Sequence, residues 1–251
     1  ESHLHPQMQS TFLKKIANIL GSEELVYKVI TTHSSYLLQS ANVLSVRYFM
    51  ERNNCVDIKN LSVFCDKVEF PNLKNFIKQY FKINTCDLFF ADKAILIEGN
   101  VERMLMPLLV ERFDNVNCTS LSKQHITTIE VGGAYAQIFY ELLDFLEIKS
   151  LVVTDIDSVQ GSQNNKCKCD ISQEGADREE WTVKTSNSVI KNWFGKVGDK
   201  FYIKDLICEA GNSMNLIMCD ESECEIRRLA FQRPNEEEKV WGRTFEEQFI
   251  L

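Results

Sequence analysis

Ala94-Ile-Leu-Ile-Glu-Gly-Asn-Val-Glu-Arg103 and Leu151-Val-Val-Thr-Asp-Ile-Asp157 are the two stretches on which the reading of this chain turns. In each, a short apolar run of the kind that forms a buried parallel strand leads into a pair of carboxylates. The pairs are Glu98 with Glu102, and Asp155 with Asp157. Gly99 is expected to let the chain turn sharply after Glu98. Beyond it, Val101, Met104, Leu105, Leu108, Leu109 and Phe113 recur at helical spacing. Glu102 then falls in the first helical turn, where the helix dipole favours an anion.

Ile126 to Val131 reads as a second strand, followed by Gly132-Gly133. The next helix turns Tyr135, Ile138, Phe139, Leu142, Leu143 and Leu146 inward. Leu151 to Thr154 is the third strand. In extended chain, residues two apart face the same way, so Asp155 and Asp157 are expected to point together. The result is a βαβαβ frame with a mainly parallel sheet and its acids at one edge, where α/β folds place ligands and metals.

Four carboxylates on one edge repel one another without a cation. Hard oxygen donors with open positions suit Mg²⁺ or Mn²⁺. Two such ions, about 3.5–4 Å apart, stabilise the attacking and leaving oxygens in phosphodiester cleavage. Taken singly, Asp-x-Asp and Glu-x-x-x-Glu also describe ordinary surface acids at the ends of elements. Their order, spacing and βαβαβ setting together point to a metal site.

The composition bounds the class. The chain has 251 residues, 44% hydrophobic and 25% charged, ordinary for a globular protein with a sizeable core. No apolar run approaches the roughly 18 residues of a membrane span, and no basic leader precedes an apolar stretch. Nine cysteines without a disulfide-like rhythm favour a reducing, cytoplasmic setting. The net charge of −8 gives no bulk attraction to nucleic acid, and clustered metal-binding acids contribute to such a balance. Cys167 and Cys169, with Cys219 and Cys224 as the only later pair, lack the spacing of a zinc ribbon, so free thiols are expected.

Outside the carboxylate core, Phe12, Leu13, Ile16, Ile19 and Leu20 form a helical stripe ending at Gly21, and Leu25 to Ile30 reads as a strand. Val43 to Met50 is strand-like, Glu51 to Asn54 a turn. Pro71 opens a helix with Leu73, Phe76, Ile77, Tyr80 and Phe81 on one face. Ser158 to Glu180 is polar and reads as a long mobile loop or insertion. Trp193 and Phe194 are expected in the core. Leu229 to Pro234 reads as a further strand.

The order of the acid pairs resembles the Toprim domain shared by topoisomerases, primases, RecR-like proteins and OLD (overcoming lysogenization defect) nucleases. Ile95 to Pro107, Ile129-Glu-Val-Gly-Gly-Ala-Tyr135 and Thr185 to Phe194 look closest to the OLD branch. The resemblance implies a DNA endonuclease with a two-metal Mg²⁺ or Mn²⁺ site, in which Glu98, Glu102, Asp155 and Asp157 are ligands and Glu98 also assists proton transfer. Gly242-Arg-Thr-Phe-Glu-Glu247 resembles an OLD stretch that adds a hydroxyl and an acid to the site, here Thr244 and Glu246, with Thr in place of the usual Ser. Read without the family, Thr244 is an N-cap opening a helix.

Glu1-Ser-His-Leu-His-Pro6 and Thr31-Thr-His-Ser34 resemble the distal end of an ABC-type ATPase fused to such nucleases, with His33 as the γ-phosphate switch. No Gly-x-x-x-x-Gly-Lys-Ser/Thr loop is present in the chain. Its ATP chemistry is therefore expected only in a longer parent. A catalytic lysine of the family is likewise expected beyond Leu251.

The expected organisation is an ATPase remnant over 1–50, a helical connector over 51–91, and a Toprim nuclease domain over 92–251 with an insertion at about 158–228. The implied partners are DNA, a second copy or higher homo-oligomer, and a helicase-like or defence partner, with no membrane. The alternative is a non-catalytic Toprim module that binds DNA or a partner; a topoisomerase or primase fits the flanking sequence less well.

Overall fold

The computed structural model describes residues 5–19, 29–52, 54–67, 79, 86–131, 136–170, 181–198, 200–210, 216–217, 227–232 and 240–250. These fall into two compact units, Glu1–Ala91 and Asp92–Leu251.

In the first unit, helix α1 (Pro6–Ile19) leads to a second, short helix α2 (Ser35–Ser40). Ser34 caps α2 by accepting from the Leu37 N–H at 3.4 Å and hydrogen-bonds Gln9 of α1. His33 is exposed in the segment just before this cap. Strands β1 (Arg47–Arg52) and β2 (Cys55–Asn60) form an antiparallel hairpin, followed by α3 (Leu61–Lys67). The hairpin crosses the 50/51 position at which the connector was expected to begin, and Val43–Ser45 is a 3-10 turn rather than strand. Most of the strand expected at 25–30 and the helix expected from Pro71 to Phe81 lie outside the described residues.

The second unit is built on strand β3 (Lys93–Ile97). Ala94, Ile95, Leu96 and Ile97 are all buried, so this strand is covered on both faces, which is why its sequence is unbroken apolar rather than alternating. It is followed by α4 (Asn100–Asn117), β4 (Ile126–Glu130), α5 (Ala136–Leu146) and β5 (Lys149–Val153). β3 lies between β4 and β5, parallel to both. On α5, Phe139, Leu142, Leu143 and Leu146 are buried as the periodicity required. Truncating a side chain such as Leu96 or Ile97 to alanine would cost about 2–5 kcal/mol.

Residues 158–210, expected as a loop or helical insertion, carry a small antiparallel sheet. Its strands are β6 (Ser158–Gln160), β7 (Asn165–Lys166), β9 (Val183–Thr185) and β10 (Phe201–Tyr202), in the order β10-β9-β6-β7. β8 (Cys169–Asp170) pairs instead with β13 (Val240–Trp241). Of the two forms expected for 158–180, a mobile loop or an insertion, residues 158–170 take the second, with short strands in place of a loop. Val159 and Cys169 are buried there, and Gly161 and Asn164 take left-handed backbone in the intervening turn. The described insertion also holds helices α6 (Ser188–Trp193) and α7 (Ile203–Ala210).

The chain returns to the main sheet at β11 (Leu216–Ile217) and β12 (Arg227–Ala230). β12 runs parallel to β5, completing the order β11-β12-β5-β3-β4 with only β11 antiparallel. Arg227 fastens this strand to α5: its guanidinium lies 4.9 Å from the Tyr140 ring centre and 3.0 Å from the Asp144 carboxylate. Helix α8 (Phe245–Ile250) ends the described chain.

One expectation about α4 is reversed in orientation. Its buried side is Glu102 and Met106, Met106 packing with Ile95 and Ile97. The apolar stripe of Met104, Leu108 and Phe113 faces outward instead, Met104 being 76% exposed.

Candidate active site

The C-terminal ends of β3 and β5 carry the acids. After Ile97 the chain leaves the sheet through Glu98 and Gly99, and the backbone at Gly99 is extended (φ −152°, ψ −173°). Glycine is therefore not needed for a sharp turn. What its bare Cα supplies is room: a Cβ there would stand 3.3 Å from Oε2 of Glu102. Glu102 lies in the first turn of α4 and is only 4% exposed. Its carboxylate has no hydrogen-bond or ion-pair partner among the described residues. Its oxygens are not among the buried polar atoms that lack a partner, so the carboxylate keeps contact with solvent and stays open to a cation.

Glu98 is held from the β5 side. Its Oε1 accepts from the Thr154 hydroxyl, from the Asp155 N–H at 3.3 Å and from Nδ2 of Asn187 at 3.1 Å. Asp155 follows directly: its Oδ1 accepts from Nε2 of Gln232 at 2.6 Å and from the Phe245 N–H at 2.7 Å. Burial pushes the Asp155 carboxyl up to about 6, and the charges of Glu98 and Asp157 add to the rise against those two hydrogen bonds. A carboxyl raised in this way by desolvation and neighbouring acids marks a site arranged for a positive charge.

Asp157 departs from the extended geometry expected of Asp-x-Asp. β5 stops at Val153, and Asp157 takes left-handed backbone at φ 49°, which Asp tolerates better than most residues. The two aspartates are thus not alternate residues of one strand. Asp157 pairs with Nη2 of Arg243 and its N–H donates to the Arg243 carbonyl at 3.1 Å. This brings the C-terminal stretch Gly242 to Glu247 to the acid edge. Thr244 sits at the start of α8, where its hydroxyl accepts from the Glu247 N–H at 3.3 Å, as an N-cap does. Glu246 is exposed in the first turn of that helix.

Glu98, Asp155 and Asp157 are therefore brought to one edge, with Glu102 beneath Gly99 and Thr244 and Glu246 alongside. Among the described residues, no three His, Cys, Asp or Glu side chains close into a ready metal cage. The donor set, all carboxylate and hydroxyl oxygen, fits a hard divalent cation in kind. Cys167 lies between β7 and β8 and Cys169 opens β8, while Cys219 and Cys224 lie outside the described residues, as does Gly132 to Tyr135.

Three residues of the site were not singled out from the sequence. Asn187 and Gln232 hold the two acids, and Arg243 neutralises Asp157. Asn187 was legible as a helix cap before Val189-Ile190, and Gln232 as a polar residue just beyond a parallel strand. Trp193 and Phe194, expected in the core, are half-buried against Tyr140 and Phe201.

Residues 89–157 match the family model described as the Toprim domain of overcoming lysogenization defect-like proteins. The mixed α/β architecture around that span, with its mainly parallel sheet, is consistent with a Toprim fold. The matched span runs from the 3-10 turn at Cys86–Phe90 to Asp157 and so includes both acid pairs. Over its whole length the chain is also 28% identical, across 271 aligned residues, to Endonuclease GajA of Bacillus cereus (strain HuB5-5). It spans 35% of the length of that relative. No helix among the described residues is long and apolar enough to cross a membrane.

Proposed function

We propose that the chain is the nuclease portion of a metal-dependent DNA endonuclease that nicks or cleaves phosphodiester bonds. The observation that carries this reading is the convergence of Glu98, Asp155 and Asp157 on one sheet edge, with Glu102 beside them under Gly99 and burial and neighbouring acids raising the Asp155 carboxyl to about 6. Such an edge is completed by positive charge.

The residues that would hold Mg²⁺ or Mn²⁺ are Glu98, Glu102, Asp155 and Asp157, joined by Thr244 and Glu246. Two bound ions would supply charge stabilisation for the attacking and leaving oxygens of the phosphodiester. Oε1 of Glu98 is engaged by Thr154 and Asn187, which leaves Oε2 to face a cation and the water bound beside it, whose proton would pass by way of Glu98 to solvent. Water oxygen bonds to phosphorus, the bridging P–O bond breaks, and the departing oxygen is protonated from solvent. Arg243, which pairs with Asp157, would be available to a phosphate oxygen if a cation took its place on that acid. The name of the GajA relative, an endonuclease, and the match to the OLD-like Toprim model support the reading. Coupling to an ATPase through His33, assembly with a second copy or a helicase-like partner, and a cytoplasmic role in phage defence or DNA processing belong to the same proposal.

The test is supercoiled plasmid with and without Mn²⁺, for this chain and for the full gene product, beside Asp155→Ala. Metal-dependent nicking that disappears in the variant is the expected result. Absence of cleavage by both wild-type proteins, with DNA binding retained, would overturn it in favour of a non-catalytic Toprim module.

A further inference from the structure

Two carboxamides, drawn from segments far apart in sequence, meet the two acids in the same manner. Asn187 is 7% exposed and Gln232 is 8% exposed. Oδ1 of Asn187 accepts from the Val189 and Ile190 N–H groups at 2.8 and 3.2 Å, capping α6. Oε1 of Gln232 accepts from the Ile156 N–H at 2.8 Å. Because backbone donors occupy the carbonyl end of each, neither amide can flip without setting N–H against N–H, so the NH₂ ends are forced toward the acids. Asn187 Nδ2 reaches Glu98 Oε1, Thr154 Oγ1 (2.9 Å) and the Asp155 carbonyl (2.8 Å). Gln232 Nε2 reaches Asp155 Oδ1 at 2.6 Å.

We propose that Asn187 and Gln232 are paired positioning residues that aim the carboxylates of Glu98 and Asp155 at the divalent cation; this rests on the metal-site reading above. Each engages a single oxygen of its acid. Glu98 Oε2 and Asp155 Oδ2 are left without a hydrogen-bond partner among the described residues. A carboxamide is neutral, so it fixes the orientation of the acid without cancelling the charge a cation needs. Lysine or arginine in the same place would hold the acid and spoil it as a ligand. Fixing ligands through such neighbours is commonly worth 10–100-fold in metal affinity or activity.

The test uses Asn187→Ser, which keeps a helix-capping oxygen but is too short to reach Glu98, and Gln232→Met, which keeps the volume but not the donor. Mn²⁺ binding is measured by calorimetry on the full chain, with thermal melting in chelator and plasmid nicking across a Mn²⁺ series. Expected are Mn²⁺ dissociation constants raised about 10-fold or more in both variants. Nicking should recover at high Mn²⁺, with an unchanged KM for DNA. Melting temperatures that fall while the Mn²⁺ affinity of the folded protein stays at the wild-type value would reduce both residues to structural parts and overturn the inference. Wild-type protein that binds Mn²⁺ without cutting, with variants that lose the binding, supports the positioning role while the nuclease reading falls. Wild-type protein that cuts, with variants of undiminished affinity, sinks the positioning role alone. Wild-type protein that binds neither Mn²⁺ nor Mg²⁺ overturns both.

Discussion

Arg243 and Asp157 hold each other twice, once through the guanidinium on Oδ1 and once through the Asp157 N–H on the Arg243 carbonyl at 3.1 Å. The second contact needs no side chain, so the backbone pairing survives when the ion pair is removed. Arg243→Gln is therefore expected to weaken the metal-free protein by about 1.5–3 kcal/mol, the range for a charge-assisted hydrogen bond. Added Mn²⁺ should restore most of the loss by supplying positive charge to Asp157. Thermal melting with chelator and with Mn²⁺ reads both effects, and a deficit indifferent to metal would separate Asp157 from the metal site.

Asp155 gives a pH signature of defined sign. Its folded value of about 6 lies above the ~3.9 of an unfolded chain. The folded state thus binds more protons between those values, and this residue subtracts stability as pH rises from about 4 to about 6. Asp155→Asn retains an acceptor for Gln232 and Phe245 but cannot ionise. In chelator, the melting temperature of the variant relative to wild type is expected to climb across that window and then level off. Saturating Mn²⁺ should abolish the advantage, since metal binds the ionised form.

Gly242 is a position where the main chain itself leaves no room. A Cβ there would lie 2.3 Å from the Gln248 backbone nitrogen and 2.8 Å from the Glu247 carbonyl carbon. Gly242→Ala should shift α8 away from Asp155 and cost about 1–3 kcal/mol, the range for overpacking. Denaturant unfolding checks the stability, and Mn²⁺ affinity should fall with it because the Phe245 N–H bond to Asp155 goes too.

Asp114 offers a control remote from the acids. It accepts from Thr119 Oγ1, Leu121 N–H and Ser122 N–H at 2.5, 2.7 and 2.7 Å, fastening the end of α4 to the following turn. Hydrogen bonds from Ser122, Thr119 and Leu121 hold its carboxyl well below the usual carboxylate range. Its contribution is present above the unfolded value and lost as pH falls through the folded one. Asp114→Asn should lower the melting temperature near neutrality, the gap closing progressively below about pH 4, while Mn²⁺ affinity is unchanged.

The parts of this fold that were legible in sequence are those whose burial leaves a pattern. β3 and the inward face of α5 announce themselves because Ala94 to Ile97 and Phe139 to Leu146 satisfy one environment each. α4 misleads because it carries two usable stripes, and Glu102 with Met106 takes the inward one while the more apolar stripe faces out. The strands at 158–170 are two or three residues long, too short for alternation to register. Asp155 and Asp157 were found as a pair, yet a single left-handed residue sends them to different partners, and no spacing rule reports a backbone angle. Asn187 and Gln232 are ordinary polar residues until the fold sets them against the acids.

The acid edge takes its contacts from five separate stretches: 98–102, 154–157, 187, 232 and 243–245. The last of these is some 90 residues from the carboxylate it grips, with 90 separating Phe245 from Asp155. During synthesis from the N-terminal end, Glu98 and Asp155 emerge long before the groups that hold Asp155 and Asp157 in place. Such long-range closures are also the slow ones in folding. A chain made only as far as Asp157 thus has the acids without their mounting, and whatever this edge does to a substrate is deferred until the 243–245 stretch is out and folded.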